Sequence, residues 1–271
     1  MRNRIDVKDK SPTVALATKR KENFPAALIL AGGLGTRLRS AFAAGPKSLA
    51  PVAGRPFLDY LLKWLRAEGV EEVVLCVGYK KSHIERHVGS GRKWGLRVRY
   101  SRERRLLGTG GAVKKGGRMT RDGAMFVVNG DTFLDVDLKK LRAFHKDRKA
   151  LATLAVARVE DDGRFGAIRL DRKGRLTAFL EKSGKDANGA PSEVQKLEIN
   201  GGVYLFEKKL LNRIPTQKQV SLEKDVFPDL ISKHKVFGFV TDGYFLDIGV
   251  PDDFRRAQVD LPERFGVGDT H

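Results

Sequence analysis

The sequence predicts an α/β protein built on a mostly parallel sheet with helices on both faces. Three observations predict it. Short continuous apolar runs end in glycine or in Asn-Gly-Asp, apolar residues between those runs recur at helical spacing, and strands become more closely spaced after about residue 150.

The elements follow in order. Residues 1–24 carry seven Lys/Arg and three acids without a sustained period, which reads as a basic flexible extension. A folded unit is expected over 25–260, followed by a tail at 261–271. Ala26 to Leu30 is the first strand; Phe57, Leu58, Leu61, Leu62 and Leu65 mark the first helix. Glu72 to Val77, Leu96 to Ser101 and Ala124 to Asn129 are further strands, with helices near 81–88 and 109–119. The second half reads as α+β, with strands at Ala152 to Val159, Ala167 to Leu170, Leu176 to Lys182, Gly202 to Phe206 and Lys235 to Thr241. Segment 183–196 is polar and bears Gly and Pro, hence a flexible loop. Pro251 opens a last helix with Asp252 and Asp253 in its first turn; these two, with Asp135 and Asp137, read as surface or capping groups.

Composition narrows the function classes. At 271 residues, 41% hydrophobic and 31% charged, the chain can bury a large core, and no apolar run approaches the roughly 20 residues of a membrane helix. Cys76 is the single cysteine, which excludes an internal disulfide and a multi-thiolate zinc site. The first 25 residues lack an apolar signal core, so the expected location is the cytoplasm. Lys plus Arg number 52 against 33 acids, a net +19 that attracts polyanions. Nucleic acid is an unlikely partner because aromatics are not interleaved with the basic clusters; a phosphorylated small molecule fits as well.

The sharpest local signal is Ala31-Gly32-Gly33-Leu34-Gly35-Thr36-Arg37-Leu38 after the first strand. Consecutive glycines let backbone amides approach an anion closely, so the segment reads as a phosphate cradle. Gly33-x-Gly35 meets Leu38 where a dinucleotide fingerprint needs Gly or Ala, and no Gly-Lys-Ser/Thr follows as in a P-loop. Arg37 and Lys47 place two cations within one loop excursion.

LAGGLGTRL at 30–38 and PKSLAPVAGRPFLDY at 46–60 resemble the N-terminal signature of the nucleoside-diphosphate-sugar pyrophosphorylases, the sugar-1-phosphate nucleotidyltransferases. LGTGGA at 107–112, NGD at 129–131, FLEK at 179–182, NGGVYLF at 200–206 and DIG at 247–249 follow in the family's order, over nearly all of 25–258. The resemblance implies a Rossmann-like fold with an inserted smaller sugar-binding sheet. It also implies attack of a sugar 1-phosphate oxygen on the α-phosphate of a nucleoside triphosphate, with pyrophosphate leaving.

Site residues carry over position by position. The resemblance implies that Asp131 and Asp247 hold Mg²⁺, that Arg37, Lys47, Asp131 and Lys182 are the catalytic set, and that Leu30, Ala31, Gly32, Gly33, Gly35, Thr36, Gly108, Thr109, Asn129 and Gly130 bind nucleotide. The family motif also implies that Lys182 takes the sugar phosphate and Glu181 a sugar hydroxyl, while Asn200 offers an amide to sugar hydroxyls and Gly201 and Gly166 let the backbone approach the sugar closely. Glu103 falls where pyrimidine-using relatives place an amide. An acceptor-only carboxylate suits guanine's adjacent N–H groups and repels the carbonyls of uracil or thymine, which favours GTP. On pattern alone Glu103 fits equally a solvated partner of Arg102 or Arg104.

Within the family, the short chain, LGTGGA and YFLDIGVPDDF at 244–254 are most similar to D-glycero-α-D-manno-heptose 1-phosphate guanylyltransferases. Mannose 1-phosphate with GTP and N-acetylmuramate 1-phosphate with UTP are alternatives. A catalytically silent regulator that binds nucleotide or RNA is the alternative of another class; retention of Arg37, Lys47, Asp131, Lys182 and Asp247 together argues against it. A homo-oligomer stays open. Arg104-Arg105-Leu106 departs from the acids and proline that relatives often carry there.

Overall fold

The computed structural model describes residues 24–33, 45–121, 123–160, 167–179, 196–216, 219–233 and 235–266. Eleven strands organise it: β1 Ala27–Ala31, β2 Glu72–Val77, β3 Arg97–Arg102, β4 Ala124–Asn129, β5 Thr132–Leu134, β6 Ala152–Glu160, β7 Ile168–Leu170, β8 Leu176–Phe179, β9 Lys196–Glu207, β10 Val236–Thr241 and β11 Phe245–Asp247. The helices are α1 Phe57–Ala67, α2 Lys81–Val88, α3 Gly108–Gly117, α4 Leu138–Asp147, α5 Phe227–Ser232 and α6 Pro251–Arg264. A further two-residue hairpin joins Pro51–Val52 to Arg55–Pro56.

Seven strands form one sheet in the order β10-β6-β9-β4-β1-β2-β3. Every neighbouring pair is parallel except the two that involve β9, which runs against the rest. The parallel strands read as continuous apolar runs because both faces are covered and successive side chains point to opposite sides. Ile29, Leu75 and Val128 pack with α1 and α6 on one face, whereas Leu28, Cys76 and Val127 pack with α3 and α5 on the other. The expected α/β class holds.

The second half contributes to the central sheet as well as to a smaller one. Of the five strands foreseen after residue 150, those at β6, β9 and β10 complete the central sheet, and only β7 and β8 pair as a small antiparallel sheet. Strand β9 is also longer than expected, because Asn200-Gly201-Gly202 does not end it. Instead its register with β6 shifts between Asn200 and Tyr204, and Gly202 takes φ +72°, a bulge that a glycine accommodates without strain.

The unit's edges lie beyond the expected boundaries. Phe24 packs on Phe126 at 5.5 Å, while Leu261 is fully buried and Phe265 stacks edge-on against Tyr60 and Phe133. Helix α6 thus continues past residue 260 with Pro262 in its last turn. The basic extension up to residue 23 and residues 267–271 lie outside the described residues. No described helix is long and apolar enough to cross a membrane.

Candidate active site

Parallel strands deliver their carboxyl ends to one edge of the sheet, where ligands bind in such folds. Here β1 ends into Gly32 and Gly33, β4 into Gly130 and Asp131, and β3 into Glu103. Together they open onto a cleft of about 640 Å³. Of the residues expected to bind nucleotide, Leu30, Ala31, Gly32, Gly33, Glu103, Gly108, Thr109, Asn129 and Gly130 line it, as do Lys47, Asp131 and Asp247. Gly35, Thr36, Arg37, Gly166, Glu181 and Lys182 lie outside the described residues.

The charged centre is assembled by a short pairing that the sequence does not announce. Strands β5 and β11 run antiparallel with Asp247 opposite Thr132, and Ile248 N–H donates to the Asp131 carbonyl at 3.1 Å. That register brings Asp247 beside Asp131, although 116 positions separate them in the chain. Lys47 enters from the turn Lys47–Leu49 and sets its Nζ 2.7 Å from Asp131 Oδ2 and 3.5 Å from Asp247 Oδ1. Burial first, then the like charge of Asp131, push the Asp247 carboxyl above the usual range, opposed by Lys47 and the Gly249 N–H.

Two carboxylates against one ammonium leave excess negative charge at the mouth of the cleft. The donor set is all oxygen, and among the described residues no third His, Cys, Asp or Glu completes a protein-only metal cage. Such a pair fits a hard divalent cation that keeps its other positions for water and phosphate oxygens.

Glu103, also in the cleft wall, is buried, and its Oε2 accepts the Leu107 N–H at 3.1 Å. The reading as a solvated partner of its arginine neighbours fails, since Arg102 pairs with Glu85 at 2.8 Å. Burial raises the Glu103 carboxyl, against the Leu107 N–H and the Lys115 charge. Leu107 and the first turn of α3 are clamped by the chain leading to α5. Val220 N–H donates to Leu107 O at 2.8 Å, Gly110 N–H to Val220 O at 2.7 Å, and Leu222 N–H to Thr109 Oγ1 at 2.9 Å. Gly108 has φ +73°, and a β-carbon there would overlap Val220 backbone, so both conformation and space require glycine.

Asn200 and Gly201 do not line the cleft. The Asn200 amide donates to Tyr204 Oη at 2.8 Å and to Glu223 Oε1 at 3.0 Å, and Glu223 does line it. A side chain at Gly201 would overlap Leu134 and crowd the Ala155 carbonyl, so packing accounts for that glycine.

Several cleft residues escaped sequence reasoning. Ser48 and Ala112 sit inside quoted motifs beside assigned residues, and Leu106 belongs to the departure at 104–106. Gln219 and Glu223 carried no signal, because only the return of the chain over α3 brings them there. Asp253 corrects an expectation: it is 1% exposed rather than on the surface, and its carboxylate accepts the Asp247 N–H at 3.2 Å. Asp252 is exposed and pairs with Arg255, and Asp137 caps α4 by accepting from Lys139 and Lys140 N–H at 2.9 Å each. Cys76 is buried in β2 with its thiol pushed up to about 12, which removes it as a nucleophile.

A nucleotidyl transferase family model matches residues 26–264. The chain is 40% identical to D-glycero-alpha-D-manno-heptose 1-phosphate guanylyltransferase of Aneurinibacillus thermoaerophilus over 235 residues, covering 87% of this chain and 97% of that protein. It is also 40% identical to mannose-1-phosphate guanylyltransferase of Mycobacterium tuberculosis over 238 residues, 87% of this chain, but spans only 64% of that relative's length. Among solved structures, HddC from Yersinia pseudotuberculosis complexed with GMP-PN superposes with a TM-score of 0.76 at 31% identity, covering 89% of this chain and all of that one.

Proposed function

The chain belongs to the nucleotidyl transferase family, and from that premise we propose that it transfers guanylyl from GTP to a sugar 1-phosphate, releasing pyrophosphate. The observation that carries the proposal is the meeting of Lys47, Asp131 and Asp247 in a glycine-edged cleft that the buried Glu103 also lines.

The reaction needs alignment and charge neutralisation rather than a covalent nucleophile. Asp131 and Asp247 would hold Mg²⁺, which when bound supplies Lewis-acid polarisation of the phosphate oxygens. Lys47 stands where its ammonium reaches an incoming phosphate. Gly32, Gly33 and Gly130 leave the cleft wall free of side chains, so the nucleotide can lie against the strand ends. Arg37 and Lys182 are proposed, from their motifs, to complete the phosphate-binding charge, with Glu181 on a sugar hydroxyl. The acceptor we assign is D-glycero-α-D-manno-heptose 1-phosphate, supported by a relative of that activity that matches over nearly its whole length. Mannose 1-phosphate is the second reading, favoured by equal identity to the mycobacterial relative. The cytoplasm is the proposed site of action.

Glu103 is assigned to the guanine edge. Glu103 is 7% exposed, and a mispaired buried acceptor costs about 1–3 kcal/mol, roughly ten- to hundredfold in selectivity. Glu103→Gln is therefore expected to reduce the preference for GTP over UTP by that order and to admit some UTP or dTTP; unchanged selectivity contradicts the assignment. The acceptor form exists above the raised pKa of Glu103 and is lost as pH falls through it. KM for GTP in the parent protein should therefore rise on the acid side earlier than for an ordinary carboxylate, and the Gln variant should lose that limb.

The direct test of function is pyrophosphate release with GTP, Mg²⁺ and a panel of sugar 1-phosphates. Release that needs both GTP and a manno-configured sugar phosphate is expected. No release with any sugar phosphate, together with tight RNA binding, would instead establish the silent-regulator alternative.

A further inference from the structure

Gly249 lies in the turn after β11 and is not among the glycines with positive φ, so its backbone conformation suits an L-residue. Space is what demands glycine there. A β-carbon would overlap Lys47 Nζ, stand 3.2 Å from Lys47 Cε and lie 2.8 Å from Asp247 Oδ1. The obstructed atoms are the ends of two side chains, not backbone, so the overlap is relieved by displacing the ammonium and the carboxylate rather than by opening the fold. At the same time the Gly249 N–H donates to Asp247 Oδ1 at 2.7 Å, fixing that oxygen toward Lys47.

The geometry points to Gly249 as a positioning residue, whose bare Cα lets the Lys47 ammonium stand against both Asp131 and Asp247. The positional claim concerns the protein alone, and only its consequence for turnover rests on the function proposed above. Lys47 has 13% of its side chain exposed, so in the parent protein its amine is sheltered from reagents.

The test compares Gly249→Ala in the parent and in a Lys47→Ala background, reading three quantities. Reductive methylation with formaldehyde and borohydride, followed by peptide mass spectrometry, reports the exposure of Lys47. Its labelling should rise several-fold in Gly249→Ala. Turnover should fall about a hundredfold, the usual effect of an ångström-scale misplacement. In the Lys47→Ala background only the Asp247 oxygen still has to give way, so the same change should cost turnover and melting temperature far less than it does in the parent. If Gly249→Ala alone melts early, the double variant should melt close to Lys47→Ala alone, since the larger of the two collisions is gone. Unchanged labelling, or an equal loss in both backgrounds, overturns the positioning role. Increased labelling in a protein whose parent turns over no sugar phosphate leaves that role standing and rejects the proposed function instead.

Discussion

Asp131→Asn is expected to lower turnover by about a thousandfold or more while the protein stays folded. The carboxylate Oδ2 lies 2.7 Å from Lys47 Nζ, at the end of β4 where the cleft opens. Asparagine keeps the shape and loses the charge, so it holds neither a hard cation nor the ammonium firmly. Metal-assisted stabilisation of phosphoryl charge is worth several kcal/mol, and each 1.36 kcal/mol is about tenfold in rate. The fold should survive, because the backbone carbonyl of Asp131, not its side chain, makes the 3.1 Å bond to Ile248 that ties β5 to β11. Pyrophosphate release and thermal melting measured together check this; a variant with near-native rate would remove Asp131 from the chemistry.

Lys47→Ala is the second large effect, expected to reduce turnover by about a hundred- to a thousandfold, the range seen when one preorganised donor to a developing charge is removed. It should also loosen the apo protein. Asp131 and Asp247 then face each other without a counter-charge, and the like charge already contributes to the raised Asp247 carboxyl. A melting temperature lowered by a few degrees is expected at neutral pH. Mg²⁺ should restore more stability to the variant than to the parent, because the ion binds only the folded pair and meets no competing ammonium. The pH dependence has a definite sign. Asp247 binds its proton more tightly folded than unfolded, so the deficit is full above its raised pKa and shrinks as pH falls toward the ordinary carboxylate range. Titrating the melting temperature against pH and Mg²⁺ reads both effects; a variant as stable as the parent at pH 7, with no extra response to Mg²⁺, would mean that Lys47 does not neutralise the pair.

Much of the cleft was legible because its parts are local. Gly32 and Gly33, Asn129 to Asp131 and Gly108 each follow or open an element whose apolar period is plain, so their positions at strand ends could be read directly. What was not legible depends on non-local register. Three-residue strands such as β5 and β11 carry too little pattern to be seen, yet their pairing is what joins Asp131 to Asp247. Asp253 looked like an ordinary first-turn acid until the Asp247 N–H was found to point at it. Gln219 and Glu223 reach the cleft only because β9 opposes its neighbours and returns the chain over α3, and a bulged Gly201-Gly202 pair reads in sequence as the start of a strand rather than as its middle.

Asp131 and Asp247 are proposed to share one divalent ion. Anomalous diffraction from crystals grown with Mn²⁺ and a non-hydrolysable GTP analogue measures it most directly. The account predicts a single strong peak bonded to a carboxylate oxygen of each aspartate and to nucleotide phosphate oxygens. A manganese ion held elsewhere, with Lys47 still lodged between the two carboxylates in the nucleotide complex, would contradict it.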